Sequence, residues 1–174
     1  MIEVTTTIHR IRPDEGLVLR ELRLRSLAES PDAFGQSHAE ASQRPDLEWI
    51  RNARQSSHGD NRIWLLAERA AEPVGLVQGR KRRPGTLLLF SMWVEPDARR
   101  LGIGRALIGS LESWAVEWGG QETILWVYGG NTIAIRFYDK LGFATIRDGP
   151  DAESGASYGA LAMRRDIRAP TPQA

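Results

Sequence analysis

The chain has 174 residues, 41% of them hydrophobic, enough for one domain with its own core and too few for two of full size. Lys and Arg total 23 against 22 Asp and Glu, for a formal charge of +1, so charge gives no reason to expect a nucleic-acid or other polyanionic partner. The lack of cysteine excludes disulfides, thiolate metal sites and a covalent cysteine intermediate.

In chain order, residues 5–11 alternate and are β-branched, which predicts a strand. Pro13 and Asp14 then open a Leu-rich helix over 15–30, with Leu17, Leu24, Leu27 and Ala28 on one face. Ser30-Pro31-Asp32 ends it, because a residue before proline avoids the α region. The stretch from His9 to Arg20 is charged and holds no apolar run suited to a signal peptide or membrane span, so a cytoplasmic protein without membrane contact is expected. A shorter helix follows Pro45, carrying Leu47, Trp49 and Ile50. Residues 62–68 and 73–80 read as strands joined by a polar turn, and Pro84-Gly85 makes the next turn.

Thr86–Val94 is the most apolar run and reads as a central strand buried on both faces. Leu107, Leu111, Trp114, Ala115 and Trp118 define an amphipathic helix ended by Gly119-Gly120. Residues 123–128 form another buried strand, Asn131 is the expected cap of the next helix, and Ala134, Phe137, Tyr138 and Leu141 line one face of that helix. Strands at 143–147 and 158–163 flank a Gly/Asp/Ser loop at 149–157. Residues 1–168 are expected to form a single domain and 169–174 a flexible tail.

Directly after the central strand comes Val94-Glu95-Pro96-Asp97-Ala98-Arg99-Arg100-Leu101-Gly102-Ile103-Gly104-Arg105. Glycines at 102 and 104 let a backbone approach an anion, and the free N–H groups of the following helix point at it. Arg99, Arg100 and Arg105 add charge. The same residues would also suit a plain strand-to-helix turn. A Walker A loop is excluded because Arg105-Ala106 follows Gly104, and a dinucleotide fingerprint because Leu107 stands where its third glycine would be.

These residues resemble the signature of the GNAT superfamily of N-acetyltransferases, in which Arg99, Gly102 and Gly104 occupy the patterned positions. A second stretch, Leu125-Trp126-Val127-Tyr128 through Asn131, Ala134, Tyr138, Gly142 and Phe143, is similar to the family's following strand and helix. The resemblance spans about residues 5–163 and implies an α/β (α+β) fold, a mixed and mostly antiparallel twisted sheet of about seven strands flanked by about four helices. It implies acetyl-CoA as co-substrate, with the loop from Arg99 through Arg100, Leu101, Gly102, Ile103 and Gly104 to Arg105 holding the pyrophosphate. Met92, Trp93 and Val94 would bind the pantetheine arm through their main chain, with Asn131, Ala134, Phe137 and Tyr138 completing the cofactor-binding set.

The implied reaction is attack of a neutral amine on the thioester, through a tetrahedral oxyanion, with release of a thiolate. The Val94 N–H is the implied oxyanion donor and Tyr138 the implied acid for the thiolate; as a residue on an amphipathic helix, Tyr138 also suits plain packing. No base is assigned. Glu95 and Glu68 lie near strand ends, where a carboxylate can take the amine proton directly or through water, although a solvated surface carboxylate is the commoner state of such residues. Family members acting on protein N-termini carry a Glu in the strand matching 124–128, which this chain lacks.

The resemblance places acceptor binding at 30–42 and 149–157. Asp151 and Glu153 of the second segment, with Asp148 just before it, suit either a cationic amine or a polar flexible loop. A small-molecule amine is the expected acceptor, a peptide amine the other possibility, and the protein a monomer or homodimer. The basic run Arg80-Lys81-Arg82-Arg83 reads as a solvated hairpin tip rather than a nucleic-acid surface. His9, His38 and His58 are too scattered to predict a metal site. The competing reading is a catalytically silent acyl-CoA-binding sensor or assembly module.

Overall fold

The computed structural model describes residues 5–82 and 84–167. Its strands are β1 (Thr6–Arg10), β2 (Arg62–Arg69), β3 (Glu72–Arg82), β4 (Thr86–Val94), β5 (Glu122–Tyr128), β6 (Ala144–Thr145) and β7 (Ala160–Asp166), in the sheet order β1-β2-β3-β4-β5-β7-β6. Helices α1 (Gly16–Glu29), α2 (His38–Ser42) and α3 (Asp46–His58) separate β1 from β2 in the chain; α4 (Ile103–Glu117) follows β4, α5 (Thr132–Lys140) follows β5 and α6 (Pro150–Ala156) follows β6. The β4–β5 pair is parallel, and β1–β2, β2–β3, β5–β7 and β6–β7 are antiparallel. Parallel neighbours need a crossover, and α4 supplies it. The mixed, mostly antiparallel fold expected from the sequence is therefore present. No helix among the described residues is long and apolar enough to cross a membrane.

The chain divides into two compact units, Met1–Arg80 with Ser91–Leu111 and Lys81–Phe90 with Glu112–Ala174. In the first, Leu19, Leu22 and Leu27 of α1 join Ile11, Trp49, Trp64, Leu66, Leu76 and Trp93 in one buried cluster. Each fully buried leucine contributes about 2 kcal/mol. The inward face of α1 differs from the expected one, since Leu17 is 52% exposed and Ala28 is exposed. Two stripes share helical spacing, and the buried one carries the polar Arg23 and Ser26, which an apolar count passes over. Ser26 satisfies its own hydroxyl by donating to the Arg23 carbonyl at 2.7 Å. Gly16 lets α1 meet α3, because a Cβ there would stand 2.5 Å from the Ile50 Cα.

In the second unit the parallel ladder runs from Thr86↔Glu122 to Leu89↔Leu125, and β5 pairs with β7 from Glu122↔Asp166 to Tyr128↔Ala160. Residues 149–157, expected as a polar loop, instead contain α6, with Pro150 at its start and Asp151 and Glu153 in its first turn. All three are helix-start residues that the Gly/Ser content masks. The Trp126 indole N–H donates to the Asp151 carbonyl at 2.9 Å, seating α6. The expected strand at 143–147 shrinks to β6, and the expected tail at 169–174 lies outside the described residues.

Candidate active site

Ser91 has φ 53°, a left-handed conformation rare for a non-glycine residue, in the middle of β4. It falls just after Leu89, the last β4 residue in the ladder to β5, and interrupts the regular strand conformation ahead of Met92, Trp93 and Val94, which lie beyond that ladder. The Glu95 N–H donates to the Val74 carbonyl of β3 at 2.8 Å. Successive strand amides alternate in direction, so the Val94 N–H points away from β3.

A 3₁₀ turn, Pro96–Ala98, leads into the glycine loop. Arg100 and Gly102 both have positive φ, 65° and 81°, and the Ala106 N–H makes the first helical bond to the Gly102 carbonyl at 3.0 Å. The amides of Ile103, Gly104 and Arg105 precede that bond and have no acceptor within the helix. They stand at the positive end of the 15-residue α4. A Cβ on Gly102 would meet nothing within 4 Å, so the space beside Gly102 itself is open. Arg100, Leu101 and Arg105 are exposed around it.

Arg99 is already engaged. Its Nε donates to the Val94 carbonyl at 2.9 Å and its Nη2 to Glu29 Oε2 at 2.7 Å. The Trp93 indole N–H donates to the same Glu29 oxygen at 3.0 Å, and the Ser30 hydroxyl donates to it as well. Desolvation raises the Glu29 carboxyl, but the bonds from Ser30, Trp93 and Arg99 together with the Arg99 charge outweigh it and hold the pKa at about 2. Arg99 therefore ties loop, strand end and the last residue of α1 together rather than lending a free charge. Sequence reasoning missed Glu29. The available signal was a carboxylate at a helix C-terminus, where the helix dipole disfavours it.

On α5, Asn131 caps the helix as expected, its Oδ1 accepting from the Ala134 N–H at 3.1 Å. Tyr138 is 7% exposed, with the Phe137 ring 5.3 Å and the Phe143 ring 5.6 Å from its own. Burial pushes its phenol well above the ordinary value, and no hydrogen bond among the described residues uses the phenol oxygen. Met92, Trp93, Val94 and the loop from Arg99 to Arg105 thus share one strand-turn-helix in the first unit, while Asn131, Ala134, Phe137 and Tyr138 share one helix in the second.

Several charges read from the sequence as free are paired. Arg25 Nη1 donates to Glu95 Oε2 at 2.8 Å. Arg82 grips Asp151 with two bonds of 2.6 and 2.9 Å, which lower the Asp151 pKa and raise that of Arg82. Lys81 lies 5.6 Å from the Trp114 ring and 5.2 Å from that of Trp118. The basic run, as far as it is described, is therefore anchored rather than solvated. His9, Glu15 and Glu68 bring ligand atoms within 4.8 Å of one another. The Glu15 carboxylate, however, already accepts from the Arg12 N–H and side chain and lies 3.0 Å from His9 Nε2.

Residues 23–143 match the acetyltransferase (GNAT) family. A mycothiol acetyltransferase from Cellulomonas flavigena is 26% identical over 160 residues, covering 83% of this chain and 43% of its own length. One from Saccharomonospora viridis is 33% identical over 118 residues, covering 63% and 38%. The chain thus spans less than half the length of these relatives. The crystal structure of PaiA N-acetyltransferase from Thermoplasma acidophilum in complex with coenzyme A aligns with a TM-score of 0.75 at 16% identity, over 93% of this chain and 99% of that one. On the family match, which takes in the whole strand-turn-helix and α5, the chain belongs to the acetyltransferase (GNAT) family.

Proposed function

We propose that the chain is an N-acetyltransferase that moves an acetyl group from acetyl-CoA to a primary amine of a small molecule. The observation that carries this reading is the open N-terminus of α4, where the amides of Ile103, Gly104 and Arg105 lack helical acceptors behind an unobstructed Gly102. That arrangement suits a pyrophosphate, with Arg100 and Arg105 at its rim. Coenzyme A in the PaiA structure and the acetyltransferase names of both relatives support the same donor.

The neutral amine attacks the thioester carbonyl, forming a C–N bond, and collapse of the tetrahedral oxyanion breaks the C–S bond. The end of β4 presents the Val94 N–H as oxyanion donor, while Met92 and Trp93 hold the pantetheine arm through their backbone. Asn131, Ala134 and Phe137 complete the coenzyme contacts. Tyr138 is the proton donor to the leaving sulfur. Its raised pKa keeps the proton in place through the neutral and mildly alkaline range and works against transfer to a thiolate, whose reference pKa is about 8.5, so Tyr138 hydrogen-bonds the departing sulfur as charge develops, before the proton moves. Glu95 is bonded to Arg25, and we assign removal of the amine proton to solvent.

The test is thiol release from acetyl-CoA across a panel of small amines and peptides. Amine-dependent release supports the reading; binding of acetyl-CoA with no release from any amine would favour a silent acyl-CoA sensor instead.

A further inference from the structure

Arg23 sits in the middle of the buried face of α1 and is only 6% exposed. Neighbouring cations of the same unit are matched, Arg25 by Glu95 at 2.8 Å and Arg99 by Glu29 at 2.7 Å. Among the described residues Arg23 has no carboxylate partner. Its Nη1 is 3.4 Å from Ser26 Oγ and its Nη2 3.5 Å from Gln36 Oε1, both at the long limit of hydrogen bonding. A guanidinium has five donors on three nitrogens, and these two long contacts engage only Nη1 and Nη2.

The surroundings are arranged for an anion that the chain does not supply. The guanidinium lies 4.5 Å over the Phe34 ring, and a second cation, Arg44, is near enough to act on it. Desolvation and then Arg44 lower the Arg23 pKa to about 10, which leaves it charged at neutral pH. Glu40 of the same segment turns elsewhere, its carboxylate taking the Ser37 N–H at 2.8 Å and the Ser37 hydroxyl at 2.9 Å. A buried charge without a counter-charge is costly to keep. Phe34 also packs against the cluster containing Trp93, the residue before the proposed oxyanion donor.

We propose that Arg23, flanked by Phe34, Gln36 and Arg44, receives a carboxylate of the acceptor, so that the substrate is an amine that also carries an acid group. This assignment depends on the acetyl-transfer reading above. A carboxylate would take two parallel bonds from the guanidinium fork, displacing the long contact to Gln36.

The test uses the full chain. Acetyl-CoA binding is first measured by calorimetry, then kcat/KM for thiol release with the common L-amino acids and β-alanine, each beside its carboxamide. At least one acid should exceed its amide by ten-fold or more. Arg23→Gln should bring that ratio near one by raising KM, with acetyl-CoA affinity unchanged. Arg23→Lys, which keeps charge and loses the fork, should retain part of the preference. Equal use of acids and amides, no use of any acid, or a ratio unchanged in Arg23→Gln overturns the inference alone. So does an equal loss for acid and amide, which would make Arg23 a packing residue; if Arg23→Gln does not fold, the wild-type ratio decides. Failure to bind acetyl-CoA overturns the acetyl-transfer reading and this inference with it.

Discussion

The Tyr138 phenol is enclosed by Phe137 and Phe143 and holds its proton more tightly than a free tyrosine. Tyr138→Phe keeps the ring and its packing while deleting the proton. Turnover should fall about 10²- to 10⁴-fold, with acetyl-CoA affinity by calorimetry and melting temperature nearly unchanged. Unaltered turnover would remove Tyr138 from the chemistry. The direction of its pKa shift adds a pH prediction. Because the folded pKa lies above the ordinary value of about 10, the phenol stays protonated where a free tyrosine would ionise. The kcat/KM profile should therefore rise with deprotonation of the amine and show no falling limb near pH 10 that Tyr138→Phe abolishes. Such a limb would contradict the burial of the phenol.

At the scale of elements, the loop before α4 owes its shape to Arg100 and Gly102, both in left-handed conformations, and Gly104 follows among the amides that have no helical acceptor. Gly104→Val leaves helix propensity no worse, since glycine is the poorer helix former, but puts a branched side chain among the free amides. Acetyl-CoA affinity should fall ten-fold or more without loss of thermal stability; equal affinity would contradict the anion role of this helix start. Glu29 joins α1 to that loop through Arg99 and Trp93. Glu29→Gln should cost about 1 kcal/mol at pH 7, discounted for the partial exposure of the pair. The Glu29 pKa is depressed in the fold, so its contribution is present above the unfolded value of about 4.3 and disappears as pH falls through about 2. Denaturant melts of both proteins across that window check it, and a difference that does not shrink between pH 5 and pH 2 would argue against the ion pair.

The same elements show what the sequence made legible. The Leu107, Leu111, Trp114 stripe of α4 and the apolar run of β4 were readable because period and length agree. The face of α1 was not, because Arg23 and Ser26 lie on its buried side. Helices α2 and α6 are too short for periodicity, although Ser37 and Glu40 form the capping box that starts α2. The loop glycines and the Asn131 cap were legible as local motifs. The Glu29 clamp was not, since its partners lie 64 and 70 residues away in the chain.

At the scale of the whole molecule, the family match runs from residue 23 to residue 143 and so takes in parts of both compact units. Residues 92–105 of one and α5 of the other carry the residues proposed for coenzyme binding and proton donation. The central claim is that this chain binds acetyl-CoA through the loop from Arg99 to Arg105. Calorimetric titration of the protein with acetyl-CoA tests it most directly. Saturable binding at one molecule per chain, with a Kd in the micromolar range (about −8 kcal/mol), is the expected result. No binding heat up to millimolar acetyl-CoA would contradict the account.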